Sequence, residues 1–118
     1  MSGALQGIRV LDLADEKGLP CAKFLADLDA DVIKVEPPCG DATRNRPPFA
    51  GDIPDRERSL YFLHYNANKR GITLDLASPD GQALFKEMVK IADIVVETFA
   101  PGTMGSWGLG YSDLAAIN

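Results

Sequence analysis

The chain has 118 residues, 46% hydrophobic and 25% charged, enough for one domain that buries roughly two-thirds of its unfolded surface. A net charge of −5 and a pI near 4.7 argue against a nucleic-acid partner, which requires a basic face. No apolar run reaches the ~18–20 residues of a membrane helix, Met1–Val10 carries no signal-like apolar stretch, and plentiful Leu, Ile, Val and Phe argue against disorder. Cys21 and Cys39 fit neither a redox pair nor a zinc site, so the expectation is two reduced thiols, no metal and a cytoplasmic protein.

In chain order, Arg9–Leu13 reads as a first strand and Ala14–Gly18 as a polar loop. Pro20 suits a first helical turn, and Cys21, Phe24, Leu25 and Leu28 then form an apolar stripe. Asp31–Glu36 is short and β-branched, stopped by Pro37 and Pro38, which completes a β-α-β unit with parallel strands. Residues 37–58 hold five of the eight prolines and read as a long irregular loop, a kind usually functional or mobile. Ser59–Tyr65 is aromatic and of either helix or strand pattern, and His64 within it has no second histidine to help bind metal.

Gly71–Leu76 reads as a third strand. Ser78 caps a helix with Pro79 at its first position and a stripe of Leu84, Phe85, Met88, Ile91 and Ala92. Asp93–Thr98 is a fourth strand, glycines at 102, 105, 108 and 110 keep the next stretch loop-like, and Ser112 caps a last helix over Asp113–Asn118. The alternation predicts an α/β fold, a Rossmann-like parallel sheet with helices on both faces. Ligands of such sheets sit beyond the carboxyl ends of the strands, so loops 14–18, 37–58, 76–78 and 98–103 should line a site.

Charge is uneven along the chain. Residues 41–70 carry a net +2, whereas the flanking stretches 1–40 and 71–118 carry −3 and −4. A small anion would find its best potential in that central part. No glycine-rich dinucleotide fingerprint, phosphate loop or serine-nucleophile elbow occurs. Asn66-Ala-Asn-Lys-Arg-Gly71 suits either a phosphate contact through Lys69 and Arg70 or a capped turn with a solvated cationic pair, and the chemistry favours the turn. Phe99, at a strand's carboxyl end, is placed to stack on a planar ligand or to cover the sheet.

Four motifs in register then carry a resemblance: Asp27-Leu-Asp-Ala-Asp-Val-Ile-Lys-Val-Glu36, Gly40-Asp-Ala-Thr-Arg44, Asn68-Lys-Arg-Gly-Ile-Thr-Leu-Asp-Leu76 and Val95-Val-Glu-Thr-Phe-Ala-Pro-Gly102, with Trp107-Gly-Leu-Gly-Tyr111 as a fifth element. Together they resemble the amino-terminal part of the family III CoA-transferases, from about Gly7 to Asn118. The resemblance implies that residues 1–118 are a Rossmann-like coenzyme A-binding fragment of a larger enzyme built as an interlocked dimer. Such an enzyme moves CoA from an acyl thioester to a small carboxylic acid, using a nucleophilic aspartate that matches nothing before Asn118. On that expectation this chain holds no catalytic residue and is inactive alone.

The resemblance carries Leu74, Thr98 and Phe99 over as CoA contacts. It also implies lost cations: Pro37 stands where many members of the family have arginine, Ala77 where some have lysine and Ser106 where some have arginine, and Asp15 and Glu16 add negative charge. Lys17 is left as a partial replacement. An alternative expectation is therefore a non-catalytic structural or dimerisation subunit of a heteromeric CoA-transferase; the expected assembly is a homodimer or a heteromer with a catalytic subunit. A second alternative, a phospho-acceptor receiver domain using Asp12, Asp15 and Asp75, meets the difficulty that receivers have five strands and no loop like 37–58. The apolar surface expected to stay open lies around Tyr61, Phe62, Tyr65 and Trp107.

Overall fold

The computed structural model describes residues 2–118. Four parallel strands, β1 (Arg9–Asp12), β2 (Asp31–Glu36), β3 (Arg70–Thr73) and β4 (Ile94–Val96), form one sheet in the order β3-β2-β1-β4. Two crossovers step outward from β1. The third, carrying helix α3 (Pro79–Val89), returns across the sheet and sets β4 on the other side of β1. The direction of winding therefore reverses between β1 and β4.

Strand alternation sorts side chains to the two faces. Val10 and Val32 pack with Ala22 and Ala26 of α1 (Leu19–Asp27) on one face, and α2 (Leu60–Tyr65) lies beside α1 there. Leu11 and Val35 pack with Phe85 and Val89 of α3 on the other. Ser78 caps α3 by accepting the Gly81 amide at 3.0 Å, and Pro79 opens it without losing a bonded amide. Among the described residues, no helix is long and apolar enough to cross a membrane, and both cysteines are free thiols.

The sheet and its parallel sense match the sequence reading; several details differ. The buried side of α1 is Leu19, Ala22 and Ala26, whereas Cys21 is exposed and Phe24 is 65% exposed. A helix lying close on a strand pair seats small side chains beneath it, so its bulkiest apolar residues turn outward. In α3 likewise Phe85 is fully buried while Leu84 and Ile91 are 58% and 64% exposed. Ser59–Tyr65 resolves as a capped helix. A short α4 (Thr103–Ser106) interrupts the glycine-rich stretch. The last helix, α5 (Tyr111–Ala115), starts earlier than expected because the Gly110 amide donates to Asp113 Oδ2 at 2.9 Å. Phe62 is buried and Tyr61, Tyr65 and Trp107 are half-buried; the exposed large apolar side chains include Phe24, Leu28, Ile53, Leu60, Leu63, Leu84, Ile91 and Tyr111.

Residues 37–58 contain two single 3₁₀ turns, Ala42–Asn45 and Ala50–Asp52. The segment is tied down. Ser59 shares its hydroxyl proton between the carbonyls of Arg46 and Thr43, at 2.7 and 3.0 Å, and accepts the Phe62 amide. Arg44 lies 3.9 Å over the Phe62 ring while pairing with Glu36 through two hydrogen bonds.

Candidate functional site

At the carboxyl ends of β1 and β2, and of the extended chain that continues β3, the loops enclose a cleft of about 390 Å³. This is within the range of small-molecule sites, and its position is where parallel sheets present ligands. Its walls are mainly apolar: Leu13 just past β1, Val35 of β2, Leu74 and Leu76 beyond β3, and the rings of Phe99 and Trp107. Those two rings meet edge to face, 5.3 Å between centroids. Phe99 is held by its own amide, which donates to Glu97 Oε2 at 2.7 Å.

The cleft's polar lining comes from Asp15 and Asp75 at the rim and from the buried Lys34 and Asp41. The Asp75 carboxylate accepts the Ala77 amide at 3.0 Å. Burial would raise the Asp15 carboxyl, but hydrogen bonds from the Lys17 side chain and amide and from Thr98 outweigh it and hold its pKa down at about 2. Asp15 and Thr98 are clasped twice. The Asp15 amide donates to Thr98 Oγ1 at 2.9 Å, and that hydroxyl donates to Asp15 Oδ1 at 2.8 Å.

That clasp closes the crevice between β1 and β4, where dinucleotide folds seat a pyrophosphate. Gly18, at the cap of α1, leaves no spare room: a Cβ there would lie 2.6 Å from the Thr98 methyl. The open cleft is displaced toward β2 and β3. A second hollow, about 510 Å³, flanks the outer edge of β4 under α5. Of its polar groups, Asp93 Oδ2 and Glu97 Oε2 accept the amides of Arg9 and Phe99, and the Asn118 side-chain amide donates to the carbonyls of Val89 and Ala92.

Beneath the cleft runs a line of buried charge pairs. Lys69 Nζ lies 2.8 Å from Asp12 Oδ2, and both side chains are almost completely buried. Lys34 pairs with Asp41 at 2.9 Å and donates to the Ala14 carbonyl, and Arg44 pairs with Glu36 at 2.7 Å. Burial alone would raise the Glu36 and Asp41 carboxyls, yet both are held below their ordinary values: Glu36 by Arg44 and the Asp41 amide, Asp41 by Thr43 and Lys34. Burial pushes the Lys69 ammonium down despite Asp12.

The residues singled out from sequence divide accordingly. Leu74 and Phe99 share the cleft. Thr98 stands behind its rim, bonded to Asp15, and Lys17 is an exposed ammonium paired with Asp15. Lys69 does not reach the cleft: its ammonium is in the core, bonded to Asp12, Asn66 Oδ1 and the Leu19 carbonyl. Arg70 is at the opposite, amino end of the sheet, bonded twice to Asp31. Asn66–Asn68 is thus a turn, as the chemistry favoured, and Arg70 and Gly71 open β3, but the lysine between them is buried rather than solvated. Asn66 closes α2 on the Phe62 carbonyl, and Asn68, at φ +66°, reaches Asp27 on α1.

Trp107, Asp41 and Lys34 were not read as site residues. A lysine inside a β-branched strand of a parallel sheet was the available signal, since such a charge must find a buried partner.

The fold is an α/β domain of the doubly wound kind with an apolar cleft at the carboxyl ends of its strands. The family described as CoA-transferase family III matches residues 5–118, and the chain belongs to it. It is 43% identical over 117 residues to a succinyl-CoA:mesaconate CoA-transferase of Haloarcula hispanica, covering 98% of this chain and 30% of that one. It is 43% identical over 118 residues to a succinyl-CoA–L-malate CoA-transferase beta subunit of Chloroflexus aurantiacus, covering 97% and 28%. A solved CAIB/BAIF family protein from Brucella suis superposes with a TM-score of 0.89 at 38% identity, covering 100% of this chain and 32% of that one. The chain spans about three-tenths of the length of the relatives it matches.

Proposed function

We propose that this chain is the coenzyme A-binding part of an enzyme that transfers CoA between an acyl thioester and a small carboxylic acid. The observation that carries the reading is the convergence of Leu74, Phe99 and Trp107 on one apolar cleft at the carboxyl ends of parallel strands. A ligand with a flat heterocycle, a long flexible arm and a charged end suits a cleft that is apolar inside and polar at its rim. Lys34 in the cleft lining is committed to Asp41, so the exposed cations beside the cleft are Arg56, bonded to the Cys39 carbonyl, and Lys17, for which a phosphate would compete with Asp15. The nucleophilic aspartate is assigned to protein beyond Asn118. The 118-residue chain by itself is accordingly expected to show no transfer with any acyl-CoA and acid pair.

A second reading is favoured by a specific feature. The family resemblance implies cations for the ligand's phosphates at three positions where this chain has Pro37, Ala77 and Ser106. A charge-assisted hydrogen bond is worth ~1.5–3 kcal/mol, so three missing ones weaken CoA binding severely. A beta-subunit name among the relatives supports a heteromer in which this chain accompanies a catalytic subunit. Exposed Phe24, Leu28 and Leu63 suit an obligate partner, of the same or a different chain.

Titration calorimetry with CoA, dephospho-CoA and pantetheine separates the two. Micromolar CoA binding, weakened by loss of the phosphates, supports the first reading. Undetectable binding of all three by the folded chain sinks it and leaves the subunit role.

A further inference from the structure

We propose that Lys34 is a positioning residue, a buried brace that holds the two walls of the cleft at their binding separation; the inference rests on the cleft being the CoA site. Lys34 lies in β2, one strand from the edge, and its side chain is 4% exposed. Its ammonium makes two contacts, and they belong to different loops. One is the carbonyl of Ala14, in the loop after β1; the other is Asp41 Oδ2, in the loop after β2, at 2.9 Å. Ala14 and Asp41 both line the cleft. A single buried charge therefore joins the β1 wall to the β2 wall.

The far side of the brace is itself fixed. The Asp41 amide donates to Glu36 Oε1 at 2.8 Å, and Asp41 Oδ1 accepts the Thr43 amide at 2.8 Å. Asp41 thereby caps the 3₁₀ turn that starts the long loop, and Arg44 of that turn returns to Glu36. Oδ2 is the carboxylate oxygen that faces Lys34. Without the ammonium, that oxygen is a charge held at 6% side-chain exposure with no cation beside it. The cheapest relief is for Asp41 to swing toward water, carrying residues 37–42 with it and widening the cleft. The β1 wall loses its tie through Ala14 at the same time.

Lys34→Met keeps the length and removes the charge; Asp41→Asn removes the charge from the other end. Two readouts are taken on the complete chain: amide hydrogen exchange without ligand, and CoA affinity by calorimetry at a temperature where circular dichroism shows each variant folded. The expected result is at least tenfold faster exchange at Asp41 and Thr43, with α3 amides unchanged, and at least tenfold weaker CoA binding. Lys34→Arg, which keeps the charge, is expected to recover most of both.

Wild-type exchange at Asp41 and Thr43 in folded Lys34→Met overturns the brace. Loosened exchange with unchanged CoA affinity overturns its role in positioning. Should Lys34→Met fail to fold, Asp41→Asn decides by the same two criteria. Failure of the wild type to bind CoA rejects the reading of the cleft, whereas the exchange data still decide whether Lys34 joins its walls.

Discussion

Replacing Lys69 by methionine removes the cation from the most deeply buried ion pair of the chain. Asp12 is 0% exposed, and its Oδ2 is 2.8 Å from the ammonium, while Oδ1 accepts the Ala14 amide at 3.0 Å. With Lys69 gone, one carboxylate oxygen is left buried and uncompensated. Breaking such a pair from one side costs about 3–5 kcal/mol. A chain of 118 residues has about 6–18 kcal/mol of stability in total, so the loss is a large fraction of it. At a urea slope near ~2 kcal/mol/M, the unfolding midpoint should fall by about 2 M.

The double variant Asp12→Asn with Lys69→Met removes both charges, keeps the Oδ1 acceptor for the Ala14 amide, and should recover part of that loss, because no buried charge is left to desolvate. Because Lys69 lies in the core, CoA affinity measured where the single variant is folded should stay within about threefold of wild type. The reasoning is refuted if Lys69→Met costs less than about 1 kcal/mol, or if the double variant is less stable than the single one. A tenfold loss of CoA affinity with stability intact would return Lys69 to the ligand.

Three further outcomes follow from the packing. Gly81→Ala places a methyl 1.8 Å from the Asp75 carbonyl oxygen, a backbone atom that cannot move aside cheaply; overpacking of ~1–3 kcal/mol should lower the melting temperature by at least about 4 °C, and an unchanged melting curve would contradict the close approach. Ser59→Ala removes the cap of α2 and the donor shared by Thr43 and Arg46; a loss of about 1–2 kcal/mol in urea unfolding is expected, with protease cleavage rising first in residues 43–58. Glu36 and Asp41 have folded pKa values below their ordinary 4.5 and 3.8. Their stabilisation is present above those values and is lost as pH falls through the folded ones, so the urea midpoint should drop steeply below about pH 4.5, less so in Asp41→Asn.

The strand–helix alternation, the parallel sense and the position of Phe99 past a strand's carboxyl end were legible, because β-branched runs and caps are local signals. Gly71–Leu76 reads as strand, whereas β3 ends at Thr73 and leaves Leu74 in the extended chain beyond it. Which face of α1 is buried was not. Leu19, Ala22 and Ala26 share a helical spacing just as Cys21, Phe24 and Leu28 do, and hydrophobicity weights the bulkier set. Close packing on Val10 and Val32 selects the smaller one. Lys69 and Arg70 show a similar limit. Adjacent residues entering a strand point to opposite faces. Lys69 therefore enters the core under α1, and Arg70 joins Asp31 at the sheet's amino end.

The role of Lys34 depends on Ala14 and Asp41, 20 residues before it and seven after it, meeting at one ammonium. Only tertiary structure makes that meeting visible. Residues 37–58 read as irregular because proline suppresses periodicity, yet ion pairs and the Ser59 hydroxyl give them a fixed path.

Trp107 is the sole tryptophan and stands in the wall of the cleft beside Phe99. Titrating the chain with CoA while following tryptophan emission is the most direct check that the cleft takes this ligand. Saturable quenching, abolished by Leu74→Glu in a folded variant, is the expected result. Emission unaffected by CoA while calorimetry registers binding would put the ligand elsewhere on the molecule.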